Sequence, residues 1–218
     1  SLGLWLGLAP LAGLAQTELS QAEWILLDGT AAAAGNPIDP DGHIRTCKTP
    51  VLRMLRTTVA APPGTILLFP GGGYRLLSAV NEGSKTAAFL NQCGFDVAIL
   101  EYRVNAGEKT RDLALDDALR AWRLLRAGPE ALGVHGGRFG MMGYSAGGHL
   151  AARTTQALAN DPKETQPNDL ILVYPAYLDE HPKGNVWPNI LPPPSPTGRL
   201  FLLIAKNDRP EWVKSDTI

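Results

Sequence analysis

An α/β fold, built on one mostly parallel sheet with helices on both faces, is what this sequence predicts. Three observations carry it. Short apolar runs alternate along the chain with longer helical stretches. Most of those runs are apolar throughout rather than at every second position, as strands covered on both faces are. One run leads through Gly143-Tyr144-Ser145-Ala146-Gly147 into a small-residue helical stretch, a strand, sharp turn and helix in direct succession. A chain of 218 residues is long enough to bury a sizeable core as one domain.

Residues 2–14 are almost wholly Leu, Gly, Trp, Ala and Pro. That run is too short to span a bilayer and matches the apolar part of a secretory signal. Gly13 and Ala15 place small residues ahead of a cut before Gln16. We therefore expect residues 1–15 to be a signal-peptide remnant, residues 16–218 to form the α/β domain, and the protein to be secreted or periplasmic. The alternative, a buried N-terminal helix, is disfavoured by Gly3, Gly7, Pro10 and Gly13.

Residues 16–50 are polar and turn-rich and read as an N-terminal arm. Residues 51–60 can form a strand, and Ala61-Pro62-Pro63-Gly64 a turn. Residues 65–69 are a short apolar run that ends in Pro70-Gly71-Gly72-Gly73-Tyr74. Residues 84–92 read as a helix stopped by Gly94, and 95–101 as a strand. The clearest helix is 112–126, with Leu115, Leu119, Trp122 and Leu125 on one face and arginines opposite. Residues 138–142 and 147–158 are the strand and helix around Ser145. Strands follow at 170–174 and 200–205, separated by a proline-rich excursion over 182–196.

Lys and Arg (20) balance Asp and Glu (21), a net charge of -1. No basic excess speaks for a nucleic-acid partner. Two cysteines make no disulfide framework. Cys93, before Gly94, reads as a small buried hydrophobe at a helix end. No Cys/His spacing indicates zinc.

Acyl transfer by a serine needs a base beside the hydroxyl, an acid behind the base and N–H donors for the oxyanion. Ser145, on the G-x-S-x-G turn, is the candidate nucleophile. Gly71-Gly72-Gly73 follows an early strand, where glycine lets the backbone approach a substrate closely. It lacks the G-x-G-x-x-G spacing of a dinucleotide loop. Ala146, next after the serine, would supply another N–H. The acid is expected after a later strand: Asp208 fits, with Asp179 as the fallback. The base should come last in the chain, and no histidine follows Asp208. His149 lies one helical turn beyond Ser145, where a packing role is expected. His181 is the alternative base if none follows Ile218.

With these residues placed, the chain resembles an α/β-hydrolase esterase of the acetyl-esterase/lipase group, and in particular secreted bacterial acetylxylan-esterase-like, xylanase-associated carbohydrate esterases. The matching features run in order over residues 65–208: Pro70 to Tyr74, Glu82-Gly83, Tyr102-Arg103, Asp117 with Arg120-Ala121, Gly143 to Leu150, Tyr174-Pro175 and the Asp208 loop. The resemblance implies an α/β-hydrolase fold. It implies Ser145 as nucleophile, Asp208 as triad acid, and Gly72, Gly73 and Ala146 as the oxyanion hole, with His149 outside the triad. It implies short acyl substrates such as acetyl esters of xylan or its oligosaccharides, and no cofactor or metal. Two departures stand out. Pro70 occupies a position where many lipase relatives carry His, and the last strand, helix and histidine loop are expected beyond Ile218. A serine peptidase of the same fold and a non-catalytic binding module are the competing readings.

Overall fold

The computed structural model describes residues 23–178 and 198–205. Residues 1–15, the 182–196 excursion, Asp179, His181 and Asp208 lie outside them. Among the described residues one sheet holds β1 (Trp24–Leu26), β2 (Ala31–Ala32), β3 (Val51–Leu55), β4 (Thr65–Phe69), β5 (Asp96–Glu101), β6 (Phe139–Tyr144), β7 (Asp169–Val173) and β8 (Arg199–Leu203). Their spatial order is β2-β1-β3-β5-β4-β6-β7-β8. Pairing is parallel from β5 through β4, β6 and β7 to β8, and antiparallel from β5 back through β3 and β1 to β2. Three α-helices accompany it: α1 (Lys85–Gln92), α2 (Thr110–Ala127) and α3 (Ala146–Ala159).

The apolar strands are explained by the two cores they serve. Leu67, Phe69, Ala98, Leu100 and Met141 point to one face, where they meet α2 and α3. Ile66, Leu68, Val97, Ile99 and Met142 point to the other, against Ala87 and Leu90 of α1. Alternate residues thus serve opposite cores, so successive positions over 66–69 and 97–100 are apolar, with Thr65, Asp96 and Glu101 at the strand ends. The five strands expected at 65–69, 95–101, 138–142, 170–174 and 200–205 share this sheet with small shifts at their ends.

Three expectations are corrected. The arm contributes β1 and β2; β1 pairs with β3 on one side and with β2 on the other; strands this short carry too few residues for a period to show. The third strand ends at Leu55, because the chain turns away and Thr57 N donates to Asp96 Oδ1 at 2.8 Å. On α2 the buried face holds Ala114, Asp117, Ala118, Ala121, Trp122, Leu124 and Leu125, with Leu115 and Leu119 only partly buried at its edge. Alanines let α2 pack closely on α3. Asp117 joins that face because Arg103 meets it: Arg103 N and Nε each donate to the carboxylate at 2.9 Å.

The chain order reverses around β4. The connection from β4 leads to β5 on one side, and that from β5 leads to β6 on the other. Loops leaving the carboxyl ends of β4 and β6 therefore open a crevice between them, the usual ligand position in a parallel α/β sheet.

Candidate active site

Ser145 stands where β6 hands over to α3, with φ 48° and ψ -119°. A non-glycine residue with this backbone is strained, and such strain persists only where its surroundings fix it. They do so on three sides. Ser145 N donates to Val173 O at 3.0 Å, while Ser145 O accepts from His149 N and Ala176 N, each at 3.1 Å. The two flanking glycines are required by space. A Cβ on Gly147 would lie 2.2 Å from Phe69 O, and one on Gly143 would lie 2.3 Å from Gly147 O. The helix thus starts against the end of β4, and the half-buried serine is presented in the crevice.

Register brings the glycine loop to it. Phe69 pairs with Gly143, so the residues that follow each strand emerge side by side. A Cβ on Gly71 would fall 3.0 Å from Ser145 Cβ and 2.7 Å from Tyr144 O. Gly72 (φ 133°) and Gly73 (φ 65°) turn the chain, and Gly72 O accepts from Arg75 N at 3.1 Å and Leu76 N at 3.2 Å. Gly71 N is occupied by Glu82 Oε2 at 2.6 Å. The Gly72 and Gly73 nitrogens donate to no protein acceptor among the described residues. Ala146 N, at the first position of α3, has no partner within the helix. The structure thus gathers Ser145, Ala146, Gly72 and Gly73 at the carboxyl ends of β4 and β6.

His149 has the packing role expected of it. It is 4 % exposed and its Nδ1 is hydrogen-bonded to Tyr74 Oη at 2.7 Å. Burial, then the charges of Arg153 and Arg111, lower its pKa to about 3. His135 lies at the opposite end of the sheet, its backbone and ring nitrogens both on Asp96 Oδ2. His43 sits in the arm beside Asp39. No histidine is hydrogen-bonded to the Ser145 hydroxyl among the described residues.

Sequence reasoning gave no role to Glu82, Tyr174 or Tyr177. Tyr174 Oη donates to Glu82 Oε1 at 2.9 Å. Tyr177 faces Gly73, its Oη 3.6 Å from where a Cβ would stand. Tyr74, Tyr174 and Tyr177 all have positive φ, at 61°, 35° and 63°. The strained backbone around Ser145 therefore extends to Tyr177, which no motif marks. Beside Gly73 a polar cleft of about 340 Å³ opens, lined by Arg75, Asn105, Glu108 and Arg111.

Cys93 does not match expectation. Cys93 caps α1 in an exposed position, and Cys47 is the buried one; both are free. The carboxyl end of α1 faces solvent, and nothing among the described residues covers Cys93.

Known proteins share this arrangement to different extents. An acetylxylan esterase of Xylanibacter ruminicola is 31% identical over 118 residues, 54% of this chain and 24% of that protein. An ethyl acetate hydrolase of Pseudomonas putida is 31% identical over 169 residues, 72% of this chain and 52% of that protein. The chain thus spans between a quarter and about half of the length of these two relatives. The crystal structure of an acetyl ester-xyloside bifunctional hydrolase from Caldicellulosiruptor lactoaceticus superposes with a TM-score of 0.53 at 30% identity, covering 70% of this chain and 56% of that one. The alpha/beta hydrolase fold family matches residues 66–190, more than half of the sequence, and with the strand order around β4 and the turn at Ser145 this shows that the chain belongs to that family.

Proposed function

We propose that this chain carries the nucleophile and oxyanion hole of a serine-dependent carboxylic ester hydrolase, one that removes short acyl groups such as acetyl from carbohydrate. The single observation that carries the reading is the strained Ser145 turn, set beside a glycine loop whose backbone donors at Gly72 and Gly73 are uncommitted. The named activities of the relatives, acetylxylan esterase and ethyl acetate hydrolase, support the ester bond and the short acyl group.

In this reading Ser145 Oγ attacks the ester carbonyl carbon and its proton passes to a histidine base. The carbonyl oxygen becomes an oxyanion, which accepts hydrogen bonds from Gly72 N, Gly73 N and Ala146 N. Each such donor contributes roughly a hundred- to a thousand-fold in rate. The alcohol leaves with the proton from the base. Water then attacks the acyl-enzyme by the same route and releases the acid. Asp208 is the acid that orients the base. His149 is not that base, since its ring is buried on Tyr74 and stays neutral. The polar cleft beside Gly73 takes the hydroxyl-rich alcohol. The apolar run over residues 2–14 supports export, which N-terminal sequencing of secreted protein would test by a start at Gln16.

The deciding experiment is Ser145→Ala in the full-length protein, assayed with p-nitrophenyl acetate and with acetylated xylo-oligosaccharide. Turnover should fall by roughly a million-fold, as for other serine hydrolases stripped of a triad member. A variant that keeps its turnover would remove Ser145 from the mechanism.

A further inference from the structure

A carboxylate that takes no part in the chemistry above sits against the oxyanion loop. Glu82 lies in a π-helical turn (Ala79–Ser84) that leads into α1. Such turns are uncommon and recur at functional sites. This one carries the Glu82 side chain, half-buried, toward the crevice. Its Oε2 accepts from Gly71 N at 2.6 Å, and its Oε1 from Tyr174 Oη at 2.9 Å. Oε2 and Ser145 Cβ both fall within 3.0 Å of the point where a Gly71 Cβ would stand. The carboxylate therefore reaches the peptide that begins the oxyanion loop, next to the nucleophile.

Three consequences follow from the geometry. First, Gly71 is buried, and its N–H needs an acceptor there. Glu82 supplies it with a charge-assisted bond, which is shorter and stronger than a neutral one. Second, the Gly71 peptide is held at both ends, because Gly71 O accepts from Ser78 N at 2.9 Å. With Gly71 fixed on Glu82, the next two nitrogens are left for the substrate. Third, Tyr174 ties the same carboxylate to the far side of the nucleophile. Tyr174 follows Val173, whose carbonyl holds Ser145 N, and Tyr174 N donates to Leu203 O at 2.6 Å at the end of β8. One side chain thus joins the glycine loop after β4 to the segment after β7, with Ser145 between them.

We propose that Glu82 is a positioning residue for the oxyanion hole, one that holds Gly71 so that Gly72 N and Gly73 N face the developing oxyanion. The proposal rests on Ser145 being the nucleophile. It assigns Glu82 no contact with substrate and no proton transfer. Donors misplaced by a fraction of an ångström weaken the transition state far more than the ground state, where the carbonyl carries little charge. Loss of Glu82 should therefore lower kcat and leave KM almost unchanged.

The test uses full-length Glu82→Ala, Glu82→Gln and Tyr174→Phe with p-nitrophenyl acetate. It adds the affinity of phenylboronic acid, whose tetrahedral serine adduct places an oxygen in the oxyanion hole. Glu82→Ala should lose roughly a hundred-fold in kcat, the order of one oxyanion donor, with KM within about threefold of the parent and boronate affinity falling in step. Glu82→Gln keeps an acceptor for Gly71 N and the size of the side chain, so it should fold and show a smaller loss of the same kind. Tyr174→Phe should shift kcat in the same direction. A Glu82→Gln variant with parental kcat and boronate affinity would overturn the proposal. So would a Glu82→Ala variant that raises KM and lowers Tm while kcat holds. An unaffected Ser145→Ala would instead sink the nucleophile assignment, so the two failures are distinguishable.

Discussion

Acid should unfold this protein through His149, and the size of the effect follows from where the ring lies. The side chain is 4 % exposed, bonded to Tyr74 Oη at 2.7 Å and met edge-on by the rings of Tyr74 and Tyr177, each 5.8 Å away. Arg111 lies 4.5 Å over the Tyr177 ring. Burial first, then the charges of Arg153 and Arg111, bring the His149 pKa from 6.5 to about 3. In the unfolded chain the same ring takes up a proton near pH 6.5. Between those values the unfolded state holds a proton that the native state does not, so stability falls as pH falls. The slope is about 1.4 kcal/mol per pH unit. From pH 6.5 to 4.5 that amounts to about 2 kcal/mol, a large part of the roughly 5–15 kcal/mol that holds a domain together. Urea unfolding at a series of pH values over this window reads it directly. His149→Asn keeps a short polar side chain and takes up no proton, so its stability should change less over the window by that amount. Equal slopes for the parent and His149→Asn would refute the reasoning.

Asp117→Ala should destabilise the fold by about 2–4 kcal/mol, because it leaves Arg103 without its main partner on a buried face; chemical denaturation measures this, and a change under 1 kcal/mol would contradict it. Iodoacetamide should label Cys93 in the native protein and spare Cys47, whose thiol is buried and pushed up to about 12 by burial and by the nearby charges of Glu101 and Asp117. Peptide mapping reads the sites, and labelling of Cys47 under native conditions would contradict its placement. In the cleft beside Gly73, Arg75→Ala with Glu108→Ala should lower the ratio of kcat/KM on acetylated xylo-oligosaccharide to that on p-nitrophenyl acetate by roughly tenfold, the order of one or two hydrogen bonds lost. An unchanged ratio would place the sugar elsewhere.

The strands and the sharp turn at Ser145 were legible because each rests on a local signal. Runs such as 66–69 and 97–100 are apolar at every position, and burial on both faces asks for that. Gly143 and Gly147 flank Ser145 because no side chain fits beside Phe69 O or the helix start. The glycine loop after β4 was legible for a related reason, since backbone with φ of 133° at Gly72 and 65° at Gly73 favours glycine. By itself, then, the sequence determined the layered α/β architecture, the position of the elbow and the loop that faces it.

What spacing could not show was decided by pairing at long range. Glu82 lies eleven residues from Gly71 in sequence and ninety-two from Tyr174, and only the folding of the π-helical turn onto β4 brings the three together. The face of α2 is centred on alanines and Asp117, which a hydrophobic count passes over, with Leu115 and Leu119 at its edge. β1 is a strand because β3 offers it an edge, and β2 because β1 then offers one in turn. Cys93 is exposed where burial was expected for the same cause: a helix end is inside or outside according to what the rest of the chain lays over it. Local chemistry sets which backbone shapes are allowed, and tertiary contact sets which side chains meet. The groups that tune a serine at a crevice belong to the second kind.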